Sequence, residues 1–170
     1  MSLSKITTCL WFDDASQTED AAKTYTDLFP NSKITKRTEY SDANSSISGH
    51  KPGDLLTLDL TLNGHSFSLL NGGPEPGFKH SMAVSFMIEC KDQEEVDHYW
   101  NGLAKDGPKQ NQVCGWLTDK WGISWQIIPK QLIEWLDDED KQKAERVTTA
   151  MLNMGKMDIE GLKKAHEGAA

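Results

Sequence analysis

Cysteine is scarce in this sequence. Three residues, Cys9, Cys90 and Cys114, stand far apart in 170 and form no C-x-x-C pair. That number and spacing exclude a disulfide framework and a thiolate zinc site, and leave buried free thiols as the expectation. Basic residues are also in short supply. Eighteen Lys and Arg against 26 Asp and Glu give a net charge of −8, and no basic patch interrupts the acidic balance. Nucleic acid and anionic membrane surfaces both require such a patch to displace counterions from phosphates, so neither is an expected partner. No apolar run approaches the ~20 residues that span a bilayer. The opening MSLSKITTC lacks the charged, apolar and small-residue regions of a secretory signal, so a cytoplasmic location is expected. The first expected strand is followed by Asp13-Asp14-Ala15-Ser16, with none of the glycine that a nucleotide-binding turn of a doubly wound sheet requires.

What the chain does contain is ordered. Its length suits one domain, burying roughly 70% of its unfolded surface. Residues 5–12 read as a strand, and Asp13 to Ser16 supply a turn and helix cap. Ala21, Ala22, Tyr25, Leu28 and Phe29 recur at helical spacing up to Pro30-Asn31. Residues 32–40 alternate weakly, as an edge strand would, and residues 41–53 read as a polar loop. Leu56, Leu58, Leu60 and Leu62 alternate with Thr57, Asp59 and Thr61 ahead of Asn63-Gly64. This Asn-Gly pair predicts a hairpin of strands 55–62 and 65–71. Residues 72–77, GGPEPG, break regular structure and read as a linker.

The same order then repeats. Residues 81–90 read as an apolar strand. Val96, Tyr99, Trp100, Leu103 and Ala104 form a helical face ending at Gly107-Pro108, and Gln110–Val113 is a polar strand candidate. Residues 114–129, CGWLTDKWGISWQIIP, hold three of the six tryptophans and read as a hairpin turning at Asp119 and Gly122. With an offset of about 75 residues, Ala21 falls on Val96, Tyr25 on Trp100 and Leu28 on Leu103. Two independent patterns that agree in this way predict a duplicated βαβββ module. Beyond Pro129, three short helices are expected near 131–135, 140–152 and 158–165.

LWFDD, AAKTYTDLFP, SFMIECKDQEEVDHYW and CGWLTDKWGISWQIIP, with Arg146, AML at 150–152 and MDIEGL at 157–162, resemble the PhnB-like family. That family is also labelled 3-demethylubiquinone-9 3-methyltransferase-like and belongs to the vicinal oxygen chelate (glyoxalase, bleomycin resistance and dioxygenase) superfamily. The resemblance implies an α+β fold in which two βαβββ modules form a curved mixed sheet with helices outside. Module one is expected at 1–73, module two at 78–129 and a helical extension at 130–168, all within one glyoxalase-like domain. It also implies a homodimer, and a cleft into which metal-dependent relatives direct four ligands, typically His, Gln or Glu, from the first and last strands of each module.

At those places this sequence offers Thr8, Ser68 or Leu70, Ser85 and Gln126. Hydroxyls and an amide are poor ligands for Zn²⁺, Ni²⁺ or Fe²⁺, so no metal site, no cofactor and no catalytic residue is assigned. If Gln126 faces the cleft, alternation places Ser124 and Ile128 there too, and sends Trp125 and Ile127 against helices. Ser85 then shares a face with Ala83 and Met87. A small, largely uncharged organic ligand is the expected partner, contacted by Thr8, Ser68, Ser85, Cys114, Trp116 and Gln126. Two other readings stand beside it. One is an enzyme, of glyoxalase type or carrying out the labelled methyl transfer. The other is a dimer whose interior is filled by Leu10, Phe12, Met87 and Trp116.

Overall fold

The computed structural model describes residues 6–75, 77 and 79–168. Lys5, where the first strand was expected to start, and Pro76 of the expected linker lie outside the described residues. The chain divides into two compact units, residues 1–79 and 80–170.

In the first unit, β1 (Thr8–Phe12) leads into α1 (Ala15–Leu28), whose N-terminus is capped by Asp14 accepting from the Gln17 amide at 2.8 Å. The strands β2 (Lys33–Glu39), β3 (Leu55–Leu62) and β4 (His65–Asn71) complete a four-stranded sheet in the order β1-β4-β3-β2. The β1–β4 pair is parallel and the others antiparallel. The Asn-Gly turn forms as the sequence predicts. Asn63 (φ 45°) and Gly64 (φ 87°) are both left-handed, the backbone that a two-residue hairpin with right-twisted strands demands.

Alternation fixes what each face does. Leu10, Phe12, Leu58, Leu60, Leu62, Phe67 and Leu69 are buried beneath α1, against Ala21, Ala22 and Tyr25. Cys9, Trp11, Thr57, Asp59, Ser68 and Leu70 take the other face. The expected polar loop contains a short helix, α2 (Asp42–Ser48), opened by a capping box between Ser41 and Asn44 and closed by left-handed Gly49. Its Ser/Asn signature was there to read, but the absence of an apolar stripe hid it.

The second unit repeats the plan with one strand fewer. β5 (Ser85–Cys90) begins four residues later than expected. α3 (Gln93–Leu103) is capped by Asp92 accepting from Glu95 at 3.0 Å, and it buries Val96, Tyr99, Trp100 and Leu103. Gln110–Val113 is not a strand. Residues Lys109–Asn111 form a single 3₁₀ turn, and Val113 makes an isolated bridge to Trp116. β6 (Trp116–Thr118) and β7 (Ser124–Pro129) follow, giving a three-stranded sheet in the order β5-β7-β6 with β5 and β7 parallel.

The helices α4 (Lys130–Leu136), α5 (Lys141–Leu152) and α6 (Ile159–Glu167) then pack on one another and on β7, burying Leu132, Val147, Met157 and Leu162. Two small mixed sheets with helices and a helical C-terminus make this an α+β fold.

Candidate functional site

The stretch 114–129 is built around one carboxylate. Asp119 is 2% exposed. Its Oδ1 accepts from the Trp121 and Ile123 amides, both at 3.0 Å, and its Oδ2 accepts from Trp125 Nε1 at 2.9 Å. A buried charge is tolerable only with this kind of donor saturation. The result is a fixed turn that sets the register of β6 on β7, with Trp116 opposite Gln126 and Thr118 opposite Ser124. The sequence marked Asp119 as a turn residue, but nothing in it indicated a buried anchor.

With that register set, the second sheet has two chemically distinct faces. Trp125 and Ile127 are buried with Leu117 on the side of α3. Ser85, Met87, Ser124, Gln126, Ile128 and Trp116 share the face away from α3. On it, Gln126 Nε2 donates to Ser85 Oγ at 2.8 Å, while the Gln126 carbonyl oxygen bonds no described residue. Ser124, between Ser85 and Thr118 in register, has a buried hydroxyl with no partner among the described residues. Met87 is 64% exposed. The second unit therefore brings Ser85, Gln126 and Trp116 together on one face.

In the first unit the expected residues separate. Ser68 lies on the face away from α1, where its Oγ donates to Asp59 Oδ1 at 2.7 Å. Thr8 pairs in register with buried Phe67 and alternates with Leu10 and Phe12. It is therefore on the opposite face, its hydroxyl 3.2 Å from His65 Nε2. In β1 the residue beside Ser68 is Cys9. A strand reading off by one residue moves every side chain across the sheet, which is the error in assigning Thr8. Leu10 and Phe12 likewise fill the core beneath α1, not a cleft. The alternation of β1 against the β3–β4 hairpin places Cys9, not Thr8, on the face of Ser68.

Cys114 also departs from expectation. It lies in no strand. Its backbone is left-handed (φ 51°), its amide donates to Met154 O at 2.7 Å, and its thiol donates to Leu152 O at 3.7 Å. The residue is stitched to the loop after α5. Of the three thiols only Cys90 is fully buried, and burial, followed by the nearby Glu95, Asp92 and Glu89, pushes it up to about 12. Cys9 is exposed, contrary to the expectation of buried thiols.

The donor set at the four strand positions read from the sequence is three hydroxyls and one amide; with Cys9 in place of Thr8 on the face of Ser68 it is one thiol, two hydroxyls and one amide. Among the described residues no three His, Cys, Asp or Glu side chains come together to hold an ion. With at most one thiol, such a set falls short of the three or more imidazole, thiolate or carboxylate ligands by which Zn²⁺, Ni²⁺ or Fe²⁺ is held.

A family model described as 3-demethylubiquinone-9 3-methyltransferase matches residues 4–128. Among solved structures, the chain is similar to the PhnB protein from Bacillus cereus, at 30% identity over 74% of this chain and 99% of that one, with a TM-score of 0.62. It is also similar to the fosfomycin resistance protein FosX from Listeria monocytogenes, at 15% identity over 81% and 100% of the two chains, TM-score 0.51. A Pseudomonas aeruginosa protein follows at 15% identity over 75% and 98%, TM-score 0.52. At 15% identity the likeness is one of fold. No curated protein matches the chain. The match of the family model over both sheets, together with the Bacillus cereus structure, shows that this chain belongs to the PhnB-like, 3-demethylubiquinone-9 3-methyltransferase family of the vicinal oxygen chelate superfamily.

Proposed function

We propose that this protein binds a small, largely uncharged organic molecule, without a metal ion, on the sheet faces turned away from α1 and α3. The observation that carries the reading is the Gln126–Ser85 pair. Gln126 uses one donor on Ser85 at 2.8 Å and keeps its carbonyl and second N–H for a ligand, because an amide has two donors and two acceptor sites. Trp116, Met87 and Ile128 supply apolar surface around it, and an apolar wall with a few fixed polar groups is what a ligand site requires. The unpartnered hydroxyl of Ser124 adds to the reading, since a buried polar group without a partner costs about 1–3 kcal/mol. In the first unit Ser68 contributes to the same reading and Thr8 does not; in the second unit Cys114 does not.

Crystals soaked with neutral heteroaromatic fragments test this. Density against Gln126 and Trp116, lost in Gln126→Ala, is the expected outcome. Binding unchanged in that variant would overturn the site. Stoichiometric Zn, Ni or Fe in the purified protein would overturn the metal-independent part. The protein is further proposed to be a cytoplasmic homodimer, following the superfamily's habit of completing its sites across two chains.

The family description favours a second reading, methyl transfer. Against it, neither sheet is the doubly wound parallel sheet whose glycine-rich turn holds nucleotide cofactors, and β1 runs into Asp13-Asp14 instead. Calorimetric binding of S-adenosylmethionine at micromolar concentration would revive that reading, and no heat at millimolar concentration would end it.

A further inference from the structure

Aspartate is rare inside strands, yet β3, an interior strand of the first sheet, carries Asp59 at its centre. Register places Cys9, Ser68 and Asp59 in one row across β1, β4 and β3, on the face away from α1. Ser68 Oγ donates to Asp59 Oδ1 at 2.7 Å. The second carboxylate oxygen bonds no described residue, and no described Lys, Arg or His forms an ion pair with it. Lys36 of β2 pairs with Asp59 in register. Trp11 and Leu70 form the adjacent row of the same face, so apolar surface flanks the acid. A half-buried carboxylate with an unpaired oxygen, oriented by a neighbouring hydroxyl, is a vacant acceptor for a charged donor.

We infer that Asp59, oriented by Ser68, anchors the protonated amine of an otherwise apolar ligand on this face. The inference rests on the ligand-binding reading above and narrows its largely uncharged ligand to one that is neutral but for a single ammonium group: an organic body held by a charge-assisted hydrogen bond to Asp59 with Trp11 and Leu70 beside it. Asp59 is a binding residue in this role. The Cys9 thiol, one strand beyond Ser68, senses the same charge. It is held above its ordinary range, first by partial desolvation and then by Asp59.

The test uses the full chain, isotope-labelled for amide NMR and titrated with benzylammonium and with its neutral counterpart, benzyl alcohol. Benzylammonium is expected to shift the amides of Cys9, Asp59, Ser68 and Leu70 saturably, and to bind about tenfold or more tightly than the alcohol. In Asp59→Asn, which still accepts from Ser68, that advantage disappears. Equal affinity of native and Asp59→Asn protein for benzylammonium overturns the inference. So does a response confined to Gln126 and Ser85, which leaves the ligand-binding reading standing. No shift on either sheet with either probe at millimolar concentration overturns both. A second readout is alkylation of Cys9 by iodoacetamide, whose onset moves to lower pH in Asp59→Asn; an unmoved onset would show that Asp59 carries no charge toward this face.

Discussion

At the residue scale, Asp119 decides more of the structure than any apolar side chain in its stretch. It satisfies two backbone amides and the Trp125 indole from a site 2% exposed. Asp119→Ala strips those donors of their partner inside the core and is expected to destabilise the protein by about 3 kcal/mol. A chain of this size then melts about 6–12 °C lower, measurable by calorimetry, with Asp119→Asn losing less. Cys90 offers a cleaner chemical signature. Fully buried and with its thiol pushed up to about 12, it holds no useful thiolate at pH 8 and should resist iodoacetamide in the folded protein, reacting only in denaturant, as mass spectrometry can record. Residues of this kind were the least legible in the sequence. Asp119 and Gly122 announced a turn, but saturation of a carboxylate is a three-dimensional fact. Asp59 fits the alternation of β3 as an ordinary polar position, so the pattern alone does not single it out. Thr8 lies on the face of Phe67 and not of Ser68, a distinction that a period-2 pattern does not mark because it carries no sign of which phase points inward.

Elements were easier to read, and the reasons are local. The Asn63-Gly64 turn, both N-capping aspartates and the faces of α1 and α3 follow from backbone chemistry and spacing that survive any tertiary context. The polar segment 110–113 did not become a strand because a single 3₁₀ turn at 109–111 leads instead into left-handed Cys114 and Gly115. At Gly115 (φ 79°) a Cβ would stand 3.0 Å from the Ile127 carbonyl and 3.2 Å from Ile128 Cδ1. Gly115→Ala is therefore expected to destabilise the β6–β7 hairpin by more than about 1 kcal/mol, seen as a lower urea midpoint with an unchanged slope.

The acid-side pH dependence lies in α3 and in the C-terminal segment packed beside it. The Asp138 carboxyl, beside His166 and the Asp140 amide, sits below its ordinary value of 3.8, and Asp97 does so beside Lys156 and Gln93. A carboxyl depressed in the folded state stabilises it above the unfolded value and loses that contribution as pH falls through the folded one. Trp135 stacks on His166 with centroids 5.6 Å apart. Its fluorescence should accordingly change on acidification below pH 3.8, and in Asp138→Asn that acid transition should shrink.

At the scale of the whole molecule, the repeat was the strongest signal in the sequence because it needed no residue to be placed correctly. Ala21 and Val96 are both fully buried, as the offset of about 75 residues implies. The helical extension was legible as helices, while its manner of attachment was not. If the proposed homodimer forms, light scattering at tens of micromolar gives twice the 19.0 kDa chain mass; a monomer mass counts against it. The attachment itself imposes a rule on the gene. Cys114 N bonds Met154 O and Gly115 N bonds Gly155 O, two consecutive rungs that tie the entrance of β6 to the loop leaving α5. Consecutive rungs tolerate side-chain exchange, but they do not tolerate a change in count. Between residues 153 and 156, insertion or deletion of a single codon would set each donor against the wrong carbonyl, so this loop should hold its length.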